Sequence, residues 1–266
     1  MGKITILDIE KKKMEGETIT ALTSYDYPIA RLVDKGGIDM ILVGDSVGTV
    51  ISGYPNTLPV TIDQMIYHAK AVTKAVERAF VVIDMPFGSF QVGLDDTVRN
   101  ACRMIKETGA EAVKLEGGRN MKEKISALVR VDIPVMGHIG LTPQSIHRMG
   151  GHRVQGRDIA QRNALMRDAV AVQDAGAFAV VLEGIPADLA EEITKKLAIP
   201  TVGIGAGPHC DGQILVVHDL LGFDERFNPK FLRKYVDLSA IIQKAVADYA
   251  EDVREGKFPG PEQCYR

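Results

Sequence analysis

Tryptophan is absent from this chain and cysteine is scarce: Cys102, Cys210 and Cys264 are the whole complement, with no CxxC pair among them. An odd count without that spacing argues against a disulfide framework and a zinc–thiolate site, and fits a reducing compartment. Basic excess is missing as well. Lys and Arg number 32 against 35 Asp and Glu, a net charge of -3, so nucleic acid and anionic membrane are not the expected partners. No segment approaches the roughly 20 apolar residues that span a bilayer. The start, MGKITILDIEKKK, lacks the apolar core of a signal peptide, and Ile6 stands where a myristoylation pattern needs Ser or Thr. The expectation is a soluble cytoplasmic protein that binds neither nucleic acid nor membrane.

What the chain does have is 45% hydrophobic residues over 266 positions, enough for a sizeable core. Short runs rich in Val and Ile alternate with longer amphipathic stretches. The pattern predicts strands near 19–24, 39–44, 80–84, 112–116, 133–138, 177–183, 199–204 and 214–217. Helical periodicity fills 27–36, 62–78, 95–108, 119–130, 158–175 and 186–197. Continuous apolar strands separated by helices indicate a parallel sheet covered on both faces. Eight of them suggest a closed (β/α)8 TIM barrel, with an open doubly wound sheet as the alternative if the first or eighth strand fails. No Pro/Gly/Ser linker divides the chain, so one domain over 1–266 is expected. An extra N-terminal helix over Thr5–Glu15 and a long C-terminal helical pattern within Asn228–Gly256 lie outside the repeat.

The apolar runs end on acids. ILVGDSVG delivers Asp45 and Ser46, FVVIDMP delivers Asp84, and AVKLEGG delivers Glu116 with Lys114 two residues earlier. His138 and Glu183 occupy the same place on the fifth and sixth expected strands. Burying a carboxylate costs several kcal/mol unless a cation or donors receive it. In parallel α/β folds the carboxyl ends of the strands surround the active site. Lys114 and Glu116 share a face, so the lysine lies one layer deeper and can meet an anionic ligand. Acids from adjacent strands suit a hard ion such as Mg²⁺, which keeps waters or substrate oxygens in its other positions. Each residue has a plainer reading: Asp45 as a helix cap, Lys114 in an ordinary ion pair, His138 as a satisfied core histidine, Glu183 at a loop start. Five on adjacent strands favour a site.

Two further features are weaker. GIGAG, Gly203 to Gly207, has the look of a phosphate-binding loop, though tight packing at a turn explains it equally well. The long stretch GLTPQSIHRMGGHRVQGR, Gly140 to Arg157, is glycine-bearing and basic, the character of a lid or binding loop.

The runs TSYDYPIA, ILVGDSVG, VVIDMPFGS, VKLEGG, GHIGLTPQ, GGHRVQGR, LEGIP and GIGAGPHCDGQILVVHDLLG, in this order, resemble the ketopantoate hydroxymethyltransferase family over nearly the whole chain. The resemblance implies a barrel of the phosphoenolpyruvate/pyruvate type, assembled as a homodecamer, a pentamer of dimers. It implies transfer of a one-carbon unit from 5,10-methylenetetrahydrofolate to 3-methyl-2-oxobutanoate, giving 2-dehydropantoate for pantothenate and coenzyme A. By motif position Asp45 and Asp84 match magnesium ligands that also border the substrate, and Glu116 a further acid of the metal site. Ser46 and Lys114 match residues that hold the keto acid, His138 a histidine near the substrate, and Glu183 the proton acceptor. The implied chemistry is loss of the C3 proton to a Mg-stabilised enolate, which attacks the folate's methylene carbon. A Mg-dependent carbon–carbon lyase or mutase of the same barrel type, acting on a 2-keto acid, is the rival reading; such enzymes often carry a loop cysteine.

Overall fold

Eight short aliphatic runs become eight parallel strands: β1 Ile19–Thr23, β2 Met40–Val43, β3 Phe80–Asp84, β4 Ala112–Glu116, β5 Val135–Gly140, β6 Ala179–Glu183, β7 Thr201–Ile204 and β8 Gly212–Leu215. In the computed structural model, which describes residues 2–265, they pair in sequence order and β8 closes on β1. The open-sheet alternative is thereby excluded. Alternation sends one set of side chains into the barrel: Ile19 and Ala21, Met40 and Leu42, Phe80 and Val82, Ala112, Met136, Ala179 and Val181, Val202, and Ile214 form one buried cluster. Ile4 and Ile9 join it, so the expected extra helix, Ile6–Glu15, packs its one fully buried side chain onto the barrel interior.

Helices cover the outer face where periodicity places them, at Tyr27–Lys35, Ile62–Ala75, Leu94–Thr108, Lys122–Val129, Ile159–Asp174 and Ala187–Lys196. Deviations from the expected bounds have local causes. The helix expected over 62–78 opens on a Thr61–Gln64 capping box and stops at Ala75. Beyond it, the Asp34 carboxylate collects the backbone N–H groups of Glu77, Arg78 and Ala79. The eighth strand begins at Gly212, earlier than expected, because only glycine fits there: a Cβ would stand 2.6 Å from the Ile19 carbonyl oxygen. It also ends earlier, since Val217 opens a short helix, Val217–Leu220.

The described residues form two compact units, one ending at Val216 and containing the whole barrel, the other beginning at Val217. The expectation of a single domain rests on the missing linker, and the boundary indeed falls without one. The second unit carries the helix Leu238–Arg254, capped by Asp237 through the Ala240 N–H. Among the described residues no helix is long and apolar enough to cross a membrane.

Candidate active site

Inside the barrel the column of apolar side chains changes character at one height. Register pairs Asp84 with Lys114, and Glu116 with His138 one step further towards the carboxyl ends. Gly140 pairs with Glu183 above them. Lys114 therefore lies one layer below Glu116, as the two-residue spacing requires.

Lys114 is the hub. Its ammonium stands 2.6 Å from Asp84 Oδ1 and 3.2 Å from His138 Nδ1, with both ends of the Asp84 pair buried. The Asp84 contact is one of charge, for Oδ1 accepts no well-aligned hydrogen bond. An ammonium can only donate, so His138 Nδ1 accepts and the ring's proton sits on Nε2. That nitrogen faces Glu183 Oε2 at 3.2 Å, off the line of an aligned hydrogen bond. Burial and then the Lys114 charge hold the His138 pKa below its ordinary value, against the pull of Glu183. A neutral ring also means that the 3.7 Å approach of Glu116 Oε1 to Nδ1 is not an ion pair.

The acids are short of positive charge. Burial, then the neighbouring charge of Asp84, raises the Asp45 pKa to about 7. Burial, then Asp45, raises Glu116 well above its ordinary value. Burial alone would lower Lys114, but the charges of Asp84, Glu116 and Asp45 outweigh it and its pKa rises. Three buried carboxylates thus share a single ammonium.

Asp45 does not cap a helix. Its backbone N–H donates to Asp84 Oδ2 at 3.0 Å, and its own Oδ2 accepts from Gln144 Nε2 at 2.9 Å. Ser46 turns away to meet the Tyr25 hydroxyl at 2.7 Å. Gly44 allows the turn, since a Cβ there would lie 2.7 Å from Ser46 Oγ. All seven residues expected at the site therefore stand at the mouth, on or just beyond β2 to β6.

Gln144 was not legible as a site residue. Besides Asp45, its side chain donates to the Met85 carbonyl at 3.0 Å and accepts from Gln91 at 3.2 Å, while its backbone N–H donates to Glu116 Oε2 at 3.0 Å. It fixes two of the three acids at once. The motif GHIGLTPQ contains it, but nothing local distinguishes a buried glutamine there from a loop residue. Thr57 was also missed; its buried hydroxyl has no aligned partner, yet it lies near enough to Asp45 to favour the ionised acid.

Among the described residues no three His, Cys, Asp or Glu side chains converge as a ready metal cage. The donor set nevertheless fits a hard divalent ion. Mg²⁺ needs only one or two carboxylates, completing its shell with substrate and water, and two uncompensated buried charges are what such an ion would neutralise. Asp45 and Asp84 are the residues that would hold such an ion, with Glu116 as the further buried acid of the set. The other sequence features resolve simply. GIGAG is packing: a Cβ on Gly207, whose φ is +79°, would stand 2.4 Å from the Ala187 Cβ. Cys102 lies in the helix Leu94–Thr108, and Cys210 is buried just before β8.

The sequence profile of the ketopantoate hydroxymethyltransferases matches residues 3–261. The chain belongs to that family. It is 61% identical over 257 residues to a 3-methyl-2-oxobutanoate hydroxymethyltransferase of Geobacter metallireducens, covering 97% of this chain and 96% of that one. A relative of the same name from Syntrophotalea carbinolica is 60% identical, with 98% of each chain covered. Solved structures share the ketopantoate hydroxymethyltransferase barrel at low identity. A phosphonopyruvate hydrolase complexed with oxalate and Mg²⁺ superposes with a TM-score of 0.62 at 14% identity over 99% of this chain and 93% of that one. A phosphoenolpyruvate phosphomutase from Streptomyces platensis gives 0.64 at 15%, over 96% and 88%. These likenesses show the barrel fold alone and leave the chemistry to the mouth residues.

The raised pKa of Asp45 has a measurable consequence. For an acid whose folded value lies above its unfolded one, the folded state keeps a proton that the unfolded chain releases, so stability falls as pH rises from about 4 to about 7 and then levels. Asp45→Asn removes that loss. In metal-free protein it should raise stability at pH 8 by up to roughly 4 kcal/mol and very little at pH 4. Urea unfolding at both values checks this; equal effects at the two pH values would refute the assignment.

Proposed function

We propose that the protein transfers a hydroxymethyl group from 5,10-methylenetetrahydrofolate to 3-methyl-2-oxobutanoate, giving 2-dehydropantoate, with Mg²⁺ held by Asp45 and Asp84. The observation that supports this most is the cluster of three buried carboxylates around one ammonium, built beside a fourth carboxylate, Glu183, that His138 faces. Bound Mg²⁺ would supply Lewis acidity to the 2-oxo and carboxylate oxygens of the keto acid. Lys114 neutralises the substrate carboxylate, leaning away from Asp84. The Tyr25–Ser46 hydroxyl pair offers a further donor at the rim.

Glu183 takes the C3 proton. The electron pair of the C3–H bond moves towards the 2-oxo oxygen, and the resulting C3 nucleophile bonds to the methylene carbon of the folate as one of that carbon's two C–N bonds breaks, the freed nitrogen taking a proton. Water then replaces the second nitrogen on that carbon, its oxygen becoming the hydroxyl and its proton going to the nitrogen, and tetrahydrofolate leaves. His138, neutral with its proton on Nε2, faces the Glu183 carboxylate at 3.2 Å and keeps it in position for this step. The homodecamer, a pentamer of dimers, and a cytoplasmic setting belong to the same reading by family resemblance.

Proton NMR of 3-methyl-2-oxobutanoate in D₂O, with enzyme, Mg²⁺ and the folate, tests the reaction. A hydroxymethyl signal that needs both additions is expected. Metal-dependent loss of the C3 proton without that signal would keep the enolising site and reject the donor; no change would favour a lyase of the same barrel type. Asp84→Ala should lose Mg²⁺-dependent keto-acid binding by calorimetry. Unchanged affinity for both would take Asp84 out of contact with the ion.

A further inference from the structure

The Gln144 amide has its direction fixed by what surrounds it. Its nitrogen faces the Met85 carbonyl at 3.0 Å and Asp45 Oδ2 at 2.9 Å. A carbonyl only accepts, so Nε2 belongs on that side and Oε1 is left as an acceptor. The donor it meets is Gln91 Nε2, at 3.2 Å. Gln91 is oriented in its turn, for its Oε1 accepts from the Gly88 N–H at 2.7 Å and the Phe90 N–H at 3.3 Å. Lys124 Nζ, on the helix Lys122–Val129, donates to the Gln91 carbonyl at 3.2 Å and ties this loop to the outer layer. The two amides thus form a one-way chain of donors: loop N–H to Gln91, Gln91 to Gln144, Gln144 to Asp45.

The chain joins the loops that follow β2, β3 and β5, and it ends on the acids. Each of the three buried acids has one oxygen engaged by an N–H donor. Asp45 Oδ2 takes the Gln144 side chain, Glu116 Oε2 the Gln144 backbone N–H at 3.0 Å, and Asp84 Oδ2 the Asp45 backbone N–H at 3.0 Å. Gln144 is buried, so water does not compete for its amide. A carboxylate held by one oxygen offers the other to an ion and cannot turn to offer both evenly. Mg²⁺ accepts that arrangement, since it is satisfied by single carboxylate oxygens in a near-octahedral shell; Ca²⁺ takes about six to eight oxygens and often both of one carboxylate.

We infer that Gln144 and Gln91 are positioning residues which restrict Asp45 to one ligand oxygen, and that this restriction makes the site select Mg²⁺ over Ca²⁺. This rests on the Mg²⁺ reading of the proposed function. Gln91 acts at a distance: its hydrogen bonds reach Gln144 and backbone groups, and none reaches an acid.

The test is calorimetric titration of the metal-free protein with MgCl₂ and, separately, with CaCl₂, in the wild type, Gln144→Met and Gln91→Glu. The wild type should favour Mg²⁺. Gln144→Met keeps the volume and the backbone N–H to Glu116 but releases Asp45 Oδ2. The affinity ratio should then move towards Ca²⁺ by about tenfold, the worth of one hydrogen bond to a charged group. Gln91→Glu keeps the acceptor for Gly88 and Phe90 but sets an oxygen against Gln144 Oε1. The ratio should shift the same way, by about threefold, from a half-buried loop position whose replacement leaves the circular dichroism unchanged. Residues that served the fold alone would weaken both ions equally and leave the ratio where it was. An unchanged ratio in either variant, or a wild type that favours Ca²⁺, would overturn the inference while leaving a divalent-ion site standing. A wild type that binds neither ion would overturn the Mg²⁺ reading and this inference together.

Discussion

Lys114→Met should destabilise the folded chain by about 3–5 kcal/mol, the usual cost of removing one partner from a buried ion pair, and abolish turnover. The loss is large because the ammonium serves three carboxylates rather than one. Asp84 meets it at 2.6 Å, and the charges of Glu116 and Asp45 both act on it. Methionine has nearly the right volume, so a cavity is not the cause. The pH dependence separates this account from a general packing defect. Asp45 titrates at about 7 and Glu116 well above its ordinary value, so at pH 5.5 these acids can take protons in place of the missing charge. Thermal unfolding should therefore show a drop on the order of 10 °C at pH 8 and a clearly smaller one at pH 5.5. Equal drops would mean that the acids do not depend on Lys114.

Glu183→Gln should lower transfer by about 10² or more, with keto-acid and metal binding retained. Glutamine keeps the shape and can still face His138 Nε2, now 3.2 Å from the carboxylate oxygen, but it cannot accept a proton at physiological pH. The sharper measurement is C3 deuterium exchange without folate, which isolates the proton step from transfer. Exchange and transfer should fall together. Near-normal turnover would remove Glu183 from proton transfer; loss of transfer with exchange intact would move its role to the folate side.

The barrel and most of its mouth were legible because both are written in short range. Strands that bury both faces show as unbroken aliphatic runs, and the abrupt acids at their ends mark one height in the barrel, since parallel register aligns Asp84 with Lys114 and Glu116 with His138. Gln144 escaped for the opposite reason. Its partners Asp45 and Glu116 lie 99 and 28 positions away, and an uncharged amide in a loop has no burial cost visible from its neighbours. GIGAG left two readings open, since glycines that allow close chain approach have the same spelling as glycines that cradle phosphate, and the approach of Gly207 to Ala187 decides for packing. The helix ends at Ala75 and the early start of β8 depended on Asp34 and Ile19, remote groups that periodicity does not register.

The apolar column below Lys114, with Ile4 and Ile9 packed against it, makes the barrel a shaft sealed at its base. Solvent and solutes enter and leave at the top alone. Lys114 lies below Glu183, so a molecule bound at its depth must arrive before the one that covers it and depart after it. On the reaction proposed above, sealing one end of a cylinder would impose a sequence in time: keto acid first, carrier second, spent carrier out, and the elongated acid last.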